Sequence, residues 1–327
     1  ETSLLDRNRT AYWPHVFDGN IWIEAREKET SEIFSRGYLT SALADNFGNG
    51  LSHFFPMYLH DDHARGTGHP VPLRPNVTRW VSRILESKRI GIDSLFSHIA
   101  AIIHAPYYRT ENSGGLRMGW PRIPICNTGE MITASAKLGG EISTLIDPEK
   151  PAANVTAGGL RAEMKVLGVP TKTDQGEITG EDFALNAGWG RKQAGGIVMP
   201  GKGLIQAREY RPQEIQAFAA WARQLGLPPS EIYRLLGETS FDIHLNDDVY
   251  WSNVPANVWN YRLGGYQVIK KWLSYREREV LGRPLRLEEV QEVSNMIRRI
   301  AAILLLTPAL NANYELAKEN ADGGTQH

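Results

Sequence analysis

Histidines and carboxylates cluster most densely at His60-Asp61-Asp62-His63, with His69 beyond, a set of hard and borderline donors able to hold a divalent cation. The same stretch, His60 to Pro75, carries Gly66, Gly68, Pro70, Pro72 and Pro75. In such a loop the cluster reads as a solvated turn rather than a metal site. Asp18 with Glu24-Ala25-Arg26 follows the acidic spacing of metal-dependent nucleases in outline only. Arg26 stands where a lysine would be needed, and a guanidinium binds anions but does not act as a deprotonated base. Surface strand charges are the better reading. His98 and His104 fall on or beside a helical pattern and read as core histidines with satisfied hydrogen bonds.

Anion-binding chemistry has more material. Gly188-Trp189-Gly190-Arg191-Lys192 and Pro200-Gly201-Lys202-Gly203 combine cations with glycine turns that can bring backbone N–H groups up to a phosphate. Neither has the spacing of a P-loop. Between Pro255 and Arg299 the basic residues, among them Arg262, Lys270, Lys271 and Arg276, outnumber the acids Glu277, Glu279, Glu288, Glu289 and Glu292. This is the strongest local positive excess in a chain of net charge −1, so a nucleic-acid site must be a local patch. No [N/D]-P-P-[Y/F] motif, glycine-rich S-adenosylmethionine turn or Walker A sequence occurs. The single Cys126 excludes an intrachain disulfide and a Cys-based zinc site, and fits a reducing cytoplasm. The chain therefore reads as no enzyme by itself, with no catalytic residue, no metal ligand and no cofactor assigned to it.

The elements that must carry these residues are those of an α+β protein of 327 residues, long enough for a sizeable core. Residues 1–75 read as β-rich, with Asn46 to Gly50 as a turn. Residues 76–150 read as helical, capped at Asn76 or Thr78, with Val77, Trp80, Val81, Ile84 and Leu85 in a 3.6-residue period. There, Tyr107 to Pro124 is a glycine-containing loop presenting Arg109, Arg117, Trp120 and Arg122. Residues 151–211 break into short pieces between glycine turns, the pattern of a small antiparallel β unit, with Lys165, Lys172, Arg191, Lys192, Lys202 and Arg208 mostly near turns. Residues 212–320 read as a C-terminal helical bundle that opens on a helical hairpin over 212–247. It includes a helix from Tyr266 whose stripe Ile269, Trp272, Leu273 and Arg276 faces inward, leaving Lys270, Lys271 and Ser274 off it. Residues 321–327 read as a disordered tail. No apolar run approaches the roughly 20 residues of a membrane span, and no signal peptide opens the chain. It begins with Glu1, which implies a fragment, a processed chain or an expressed segment.

The stretch from Asp248 to Arg276 gathers Tyr250, Trp251, Trp259, Tyr261, Tyr266, Trp272 and Tyr275 around Gly264-Gly265. Its sequence YWSNVPANVWNYRLGGYQVIKKWLSYRE, followed by VLGRP, resembles the C-terminal specificity region of Type ISP (single-polypeptide Type I) restriction–modification enzymes. LSHFFPMYL (51–59), HAPYYR (104–109), WPRIPI (120–125), NAGWG (186–190), GGIVMPGKG (195–203) and RRIAAILLLTPALNANY (298–314) extend the likeness over most of the chain.

The resemblance implies a cytoplasmic, sequence-specific reader of double-stranded DNA. An N6-adenine methyltransferase would lie upstream in cis or in a partner chain, and S-adenosylmethionine, with ATP and Mg2+ where a motor is present, would be bound there. It implies DNA contacts from Arg117, Arg122, Lys172, Arg191, Lys192, Gln193, Lys202, Lys270, Lys271 and Arg276. Trp251, Trp259, Gly264, Gly265, Tyr266 and Trp272 are expected to form a structural motif that would hold the β unit on the helical one. The competing reading is a docking module of a phage-defence complex that touches protein and reads no bases.

Overall fold

The computed structural model describes residues 12–28, 37–43, 52–60, 72–263 and 265–321. The chain folds into two compact units, one formed by residues up to Asp147 and again from Thr307, the other by Pro148–Leu306. Both combine helices with small antiparallel sheets, so the fold class is α+β. The Asn46–Gly50 turn, the cluster residues Asp61, Asp62, His63 and His69, Gly264 and the tail from residue 322 lie outside the described residues. No single helix among the described residues is long and apolar enough to cross a membrane.

In the first unit, β1 (Trp22–Ala25) lies between β2 (Tyr38–Thr40) and β3 (His53–Pro56), and β4 (Tyr58–His60) pairs with β5 (Leu73–Pro75). Every residue of β1 is buried, Glu24 included, so Glu24 is not the surface charge expected of it. Helices α1 (Arg79–Lys88), α2 (Ile92–His104), α3 (Pro106–Glu111), α4 (Ser113–Met118) and α5 (Gly129–Ile146) follow, joined by the closing helix Thr307–Glu319. Thr78 starts α1 by accepting the Val81 N–H at 3.3 Å, which satisfies one orphan donor of the first turn. Trp80 departs from the expected stripe and stands 59% exposed. α3 and α4 replace the loop expected after Tyr107: Pro106 suits the first turn of α3, and Asn112 links the two helices through its side-chain bond to the Tyr108 carbonyl.

Both core histidines are buried and held in one tautomer. His98 Nε2 donates to the Pro124 carbonyl at 2.8 Å, leaving Nδ1 to accept from the Ser135 hydroxyl at 2.7 Å. His104 Nε2 donates to the Gly37 carbonyl at 2.8 Å, and its Nδ1 accepts from Arg109 Nη2 at 3.0 Å. Arg109 is thereby a structural residue. Burial lowers the pKa of both rings, and the Arg109 charge helps bring His104 down to about 3. A histidine kept neutral in the fold but protonated in the unfolded chain costs stability as pH falls below its unfolded value near 6.5. For His104 that loss continues down to about 3. Thermal melts between pH 7 and 4.5 are therefore expected to fall in a wild-type chain. In His104→Gln the slope is expected to be shallower by about 1.4 kcal/mol per pH unit. An unchanged slope would contradict the assignment.

The second unit contains α6 (Ala162–Lys165), β6 (Val169–Lys172), β7 (Gly190–Lys192), β8 (Val198–Pro200), β9 (Ile205–Arg208), α7 (Pro212–Leu225) and α8 (Pro229–Leu236). β10 (Ser240–His244), β11 (Val249–Pro255), α9 (Ala256–Trp259), β12 (Arg262–Leu263), β13 (Tyr266–Gln267), α10 (Val268–Ser274), α11 (Arg278–Leu281) and α12 (Leu287–Leu305) complete it. Its main sheet has the order β6-β11-β10-β9, all antiparallel. The two inner strands come from residues 240–255, part of which was expected to be helical. They are buried on both faces; β11 lacks the polar alternation that announces a strand, whereas β10 carries it, with Ser240, Asp242 and His244 alternating with Phe241 and Ile243. Their turn is set by Asn246, whose Oδ1 accepts the N–H groups of Asp248 and Val249 at 2.9 and 2.8 Å. α6 is a helical turn where a strand was expected. Arg208 ties β9 to its neighbours, pairing with Glu214 at 2.8 Å and Asp242 at 3.0 Å, all three side chains largely buried. It is a fixed network member, not a turn cation.

Candidate nucleic-acid interface

The glycine-rich segment 188–203 folds into a ribbon with an unusually firm base. Trp189 is fully buried, donates from Nε1 to the His244 carbonyl at 2.8 Å, and packs on Trp259 at a ring distance of 5.3 Å. The buried carboxylate of Glu277 accepts the Gly188 N–H at 3.0 Å and the Trp189 N–H at 2.8 Å. Burial pushes its pKa up, while the amides of Gly188, Trp189 and Gly190 pull the other way. Gly190 lies against α10 so closely that a Cβ there would stand 1.9 Å from the Ser274 carbonyl oxygen. Gly203, at φ +71°, leaves room for the Trp189 ring, which a Cβ would meet at 2.2 Å. The glycines thus permit close packing, and the N–H groups of Gly188, Trp189, Gly201 and Gly203 all go to protein acceptors. The backbone-amide phosphate cradle expected of this segment is not formed by those groups.

From this base β7 and β8 project as a two-stranded antiparallel ribbon, pairing Gly190 with Pro200, Arg191 with Met199 and Lys192 with Val198. The Gln193 N–H donates to the Ile197 carbonyl at 2.8 Å and closes a tip whose Gly195 and Gly196 sit at φ +81° and +80°. Arg191, Lys192, Gln193, Ile197 and Met199 are all exposed.

Alongside runs α10, with Ile269 and Leu273 buried as expected. Ser274 is buried too, because its hydroxyl turns back to the Lys271 carbonyl at 2.8 Å. Lys271 Nζ is held between the rings of Tyr266, 4.4 Å away, and Tyr275, 4.7 Å away. Its charge is therefore presented in a fixed place. Lys270 and Lys271, with Arg262, Tyr266 and Pro200 at the ribbon's root, line an open depression of about 180 Å3. Among the described residues no ion pair or side-chain hydrogen bond engages Arg191, Lys192, Gln193, Lys202 or Lys270. Segments separated by some 70 residues in sequence thus meet where β7 and β8 lie against α10, and both carry cations without an ion pair.

The remaining expected residues divide. Lys172 is paired with Asp182 at 3.2 Å, a contact that raises its pKa. Arg276 stacks on Trp272 at 4.0 Å, and the Trp272 Nε1 donates to Glu292 at 2.9 Å. Arg117 on α4 and Arg122 after it are exposed, and both belong to the first unit. Arg122 helps to line a separate cavity of about 650 Å3 there, with Trp120 and Met118. Trp251 and Trp259 are buried, the former donating to the Val290 carbonyl at 3.2 Å. Tyr266 is not a core residue: it is 60% exposed and serves the surface by holding Lys271. Gly265 sits in the exposed turn between β12 and β13, with nothing within 4 Å of where a Cβ would stand. Among the described residues no group of three or more His, Cys, Asp or Glu side chains is placed to hold a metal ion.

Glu277 escaped the sequence reading, which counted it among the acids of a charged helical stretch. Ile197 and Met199 gave no signal because single apolar residues in a glycine-rich turn are unremarkable until their exposure is known.

The sequence profile of the Type ISP C-terminal specificity domain matches residues 1–299. The chain belongs to that family. A comparison with curated proteins gives no significant match. Among solved structures, this specificity domain is similar to a chain of the DrdV–DNA complex, with a TM-score of 0.53 at 15% identity, over 96% of this domain and 26% of that chain. It also aligns with the ATP-dependent Type ISP restriction-modification enzyme LlaBIII bound to DNA, at a TM-score of 0.46 and 14% identity, over 90% of this domain and 16% of that chain. The first likeness shows the fold. The specificity domain spans about a quarter of that longer chain.

Proposed function

We propose that this specificity domain recognises double-stranded DNA in a sequence-specific manner for a restriction–modification enzyme. The observation that carries the reading is the gathering of unpaired cations from residues 191–202 and 262–271 around a projecting ribbon. Lys202, Lys270 and Lys271 position the phosphates, which supplies affinity but no sequence information. The ribbon is the element of a size that the major groove admits. Methyl transfer to adenine N6, with its S-adenosylmethionine and any ATP and Mg2+, belongs to an upstream part in cis or a partner chain. The membership in a specificity family, and the DNA complex of the structural neighbour that shares its fold, support the DNA-recognition reading.

The test is a titration with a randomised duplex pool at low and physiological salt, sequencing what the protein retains. One short enriched motif is expected, with retention falling steeply as salt rises. Absence of retention at any salt would overturn the reading in favour of a protein-docking module.

A further inference from the structure

The ribbon's two faces carry different chemistry, and its register says which is which. In an antiparallel pair, residues directly opposite share a face and the faces alternate along the strand. Gly190 is the residue pressed on α10, so the face of Gly190, Lys192, Val198 and Pro200 is turned toward that helix. The other face carries Arg191 opposite Met199, followed by Gln193 opposite Ile197 at the tip. One strand of that outward face therefore bears a guanidinium and a carboxamide. The other bears two apolar side chains, Ile197 at 61% and Met199 at 46% exposure. Apolar groups this exposed on a projecting tip contribute little to the folding of this unit.

We propose that this outward face is the base-reading surface, with Arg191 reading guanine, Gln193 reading adenine, and Ile197 and Met199 meeting thymine methyl groups in the major groove. The inference rests on the DNA-recognition reading above and adds which residues discriminate and what they select. Guanine offers O6 and N7 to an arginine fork, adenine offers N6 and N7 to a glutamine amide, and only thymine offers a methyl group. The strand-to-strand pairing makes the read bases neighbours: Arg191 and Met199, then Gln193 and Ile197, lie at successive levels along the ribbon. The opposite face, with Lys192 on the side of Lys270 and Lys271, is left for the phosphates. Firm anchoring at Trp189 and Glu277 lets the tip hold the register that base reading demands.

The experiment compares motifs enriched from the randomised duplex pool by the wild-type chain, Arg191→Ala, Gln193→Ala and the Ile197→Ser/Met199→Ser double variant. All four changes are on exposed side chains, and circular dichroism melts check that each variant folds. Arg191→Ala should relax one guanine position by about 5- to 100-fold while the rest of the motif and the salt dependence stay. Gln193→Ala should relax one adenine position. The double serine variant should lose its preference for thymine over uracil, which lacks only the methyl group, when uracil-substituted duplexes are presented. Unchanged motifs in all three folded variants, with the wild type still selecting a motif, would overturn this inference and leave DNA recognition standing. A wild-type chain that selects no motif overturns both.

Discussion

Lys270→Glu/Lys271→Glu is expected to abolish retention of duplex DNA at physiological salt while leaving the fold intact. Neither Nζ is committed to a carboxylate within the described residues, so reversal breaks no ion pair. Each phosphate neutralised releases counterions and contributes about 0.9 to the slope of log K against log salt. Losing two such contacts should flatten the slope by about 2 and weaken binding roughly 10- to 100-fold, with repulsion adding to the loss. The change should be uniform across DNA sequences, because phosphate contacts carry no base information. Fluorescence anisotropy over a salt series reads both quantities. Equal slopes for variant and wild type would place the phosphates elsewhere.

Glu277→Ala should have the largest effect on stability. The carboxylate is buried and receives the N–H groups at the ribbon's base, so its removal leaves buried donors with no acceptor. Each such orphan costs about 1–3 kcal/mol, and charge-assisted bonds lie at the upper end. A loss of about 3–5 kcal/mol is expected in urea unfolding. Glu277→Gln keeps one acceptor oxygen and should lie between the two. At temperatures where Glu277→Ala still folds, the ribbon should lose its register. Motif selection should then disappear while salt-dependent retention through Lys270 and Lys271 persists. Retained selection by the alanine variant would show that the anchor does not govern the reading element.

Lys270, Lys271 and Glu277 mark how far the sequence speaks. The α+β class, the capping of α1 by Thr78, the core helix α2 and the burial of Ile269 and Leu273 follow from local periodicity, because each is decided within a few turns of chain. The basic stretch was likewise visible, and so was the cation-bearing glycine segment. What could not be read was their meeting: a contact between Gly190 and Ser274 is a tertiary fact with no local signature. The same holds for Glu277, whose charge reads as solvated until its amide partners are known. Strand β11 is obscured by burial on both faces, which removes the period of two, whereas β10 keeps that period in Ser240, Asp242 and His244 against Phe241 and Ile243. Lys172 and Arg208 looked like available cations because sequence does not announce Asp182, Glu214 and Asp242 as their partners. Charge excess along a chain therefore overstates the charge offered to a ligand.

The most direct test of the DNA face is lysine footprinting by acetylation and mass spectrometry, with and without the selected duplex. Protection is expected at Lys192, Lys202, Lys270 and Lys271, while the exposed Lys137 and Lys165 keep reacting at their free rates. Protection confined to Lys137 or Lys165, with the four ribbon-side lysines unchanged in bound complex, would contradict the account.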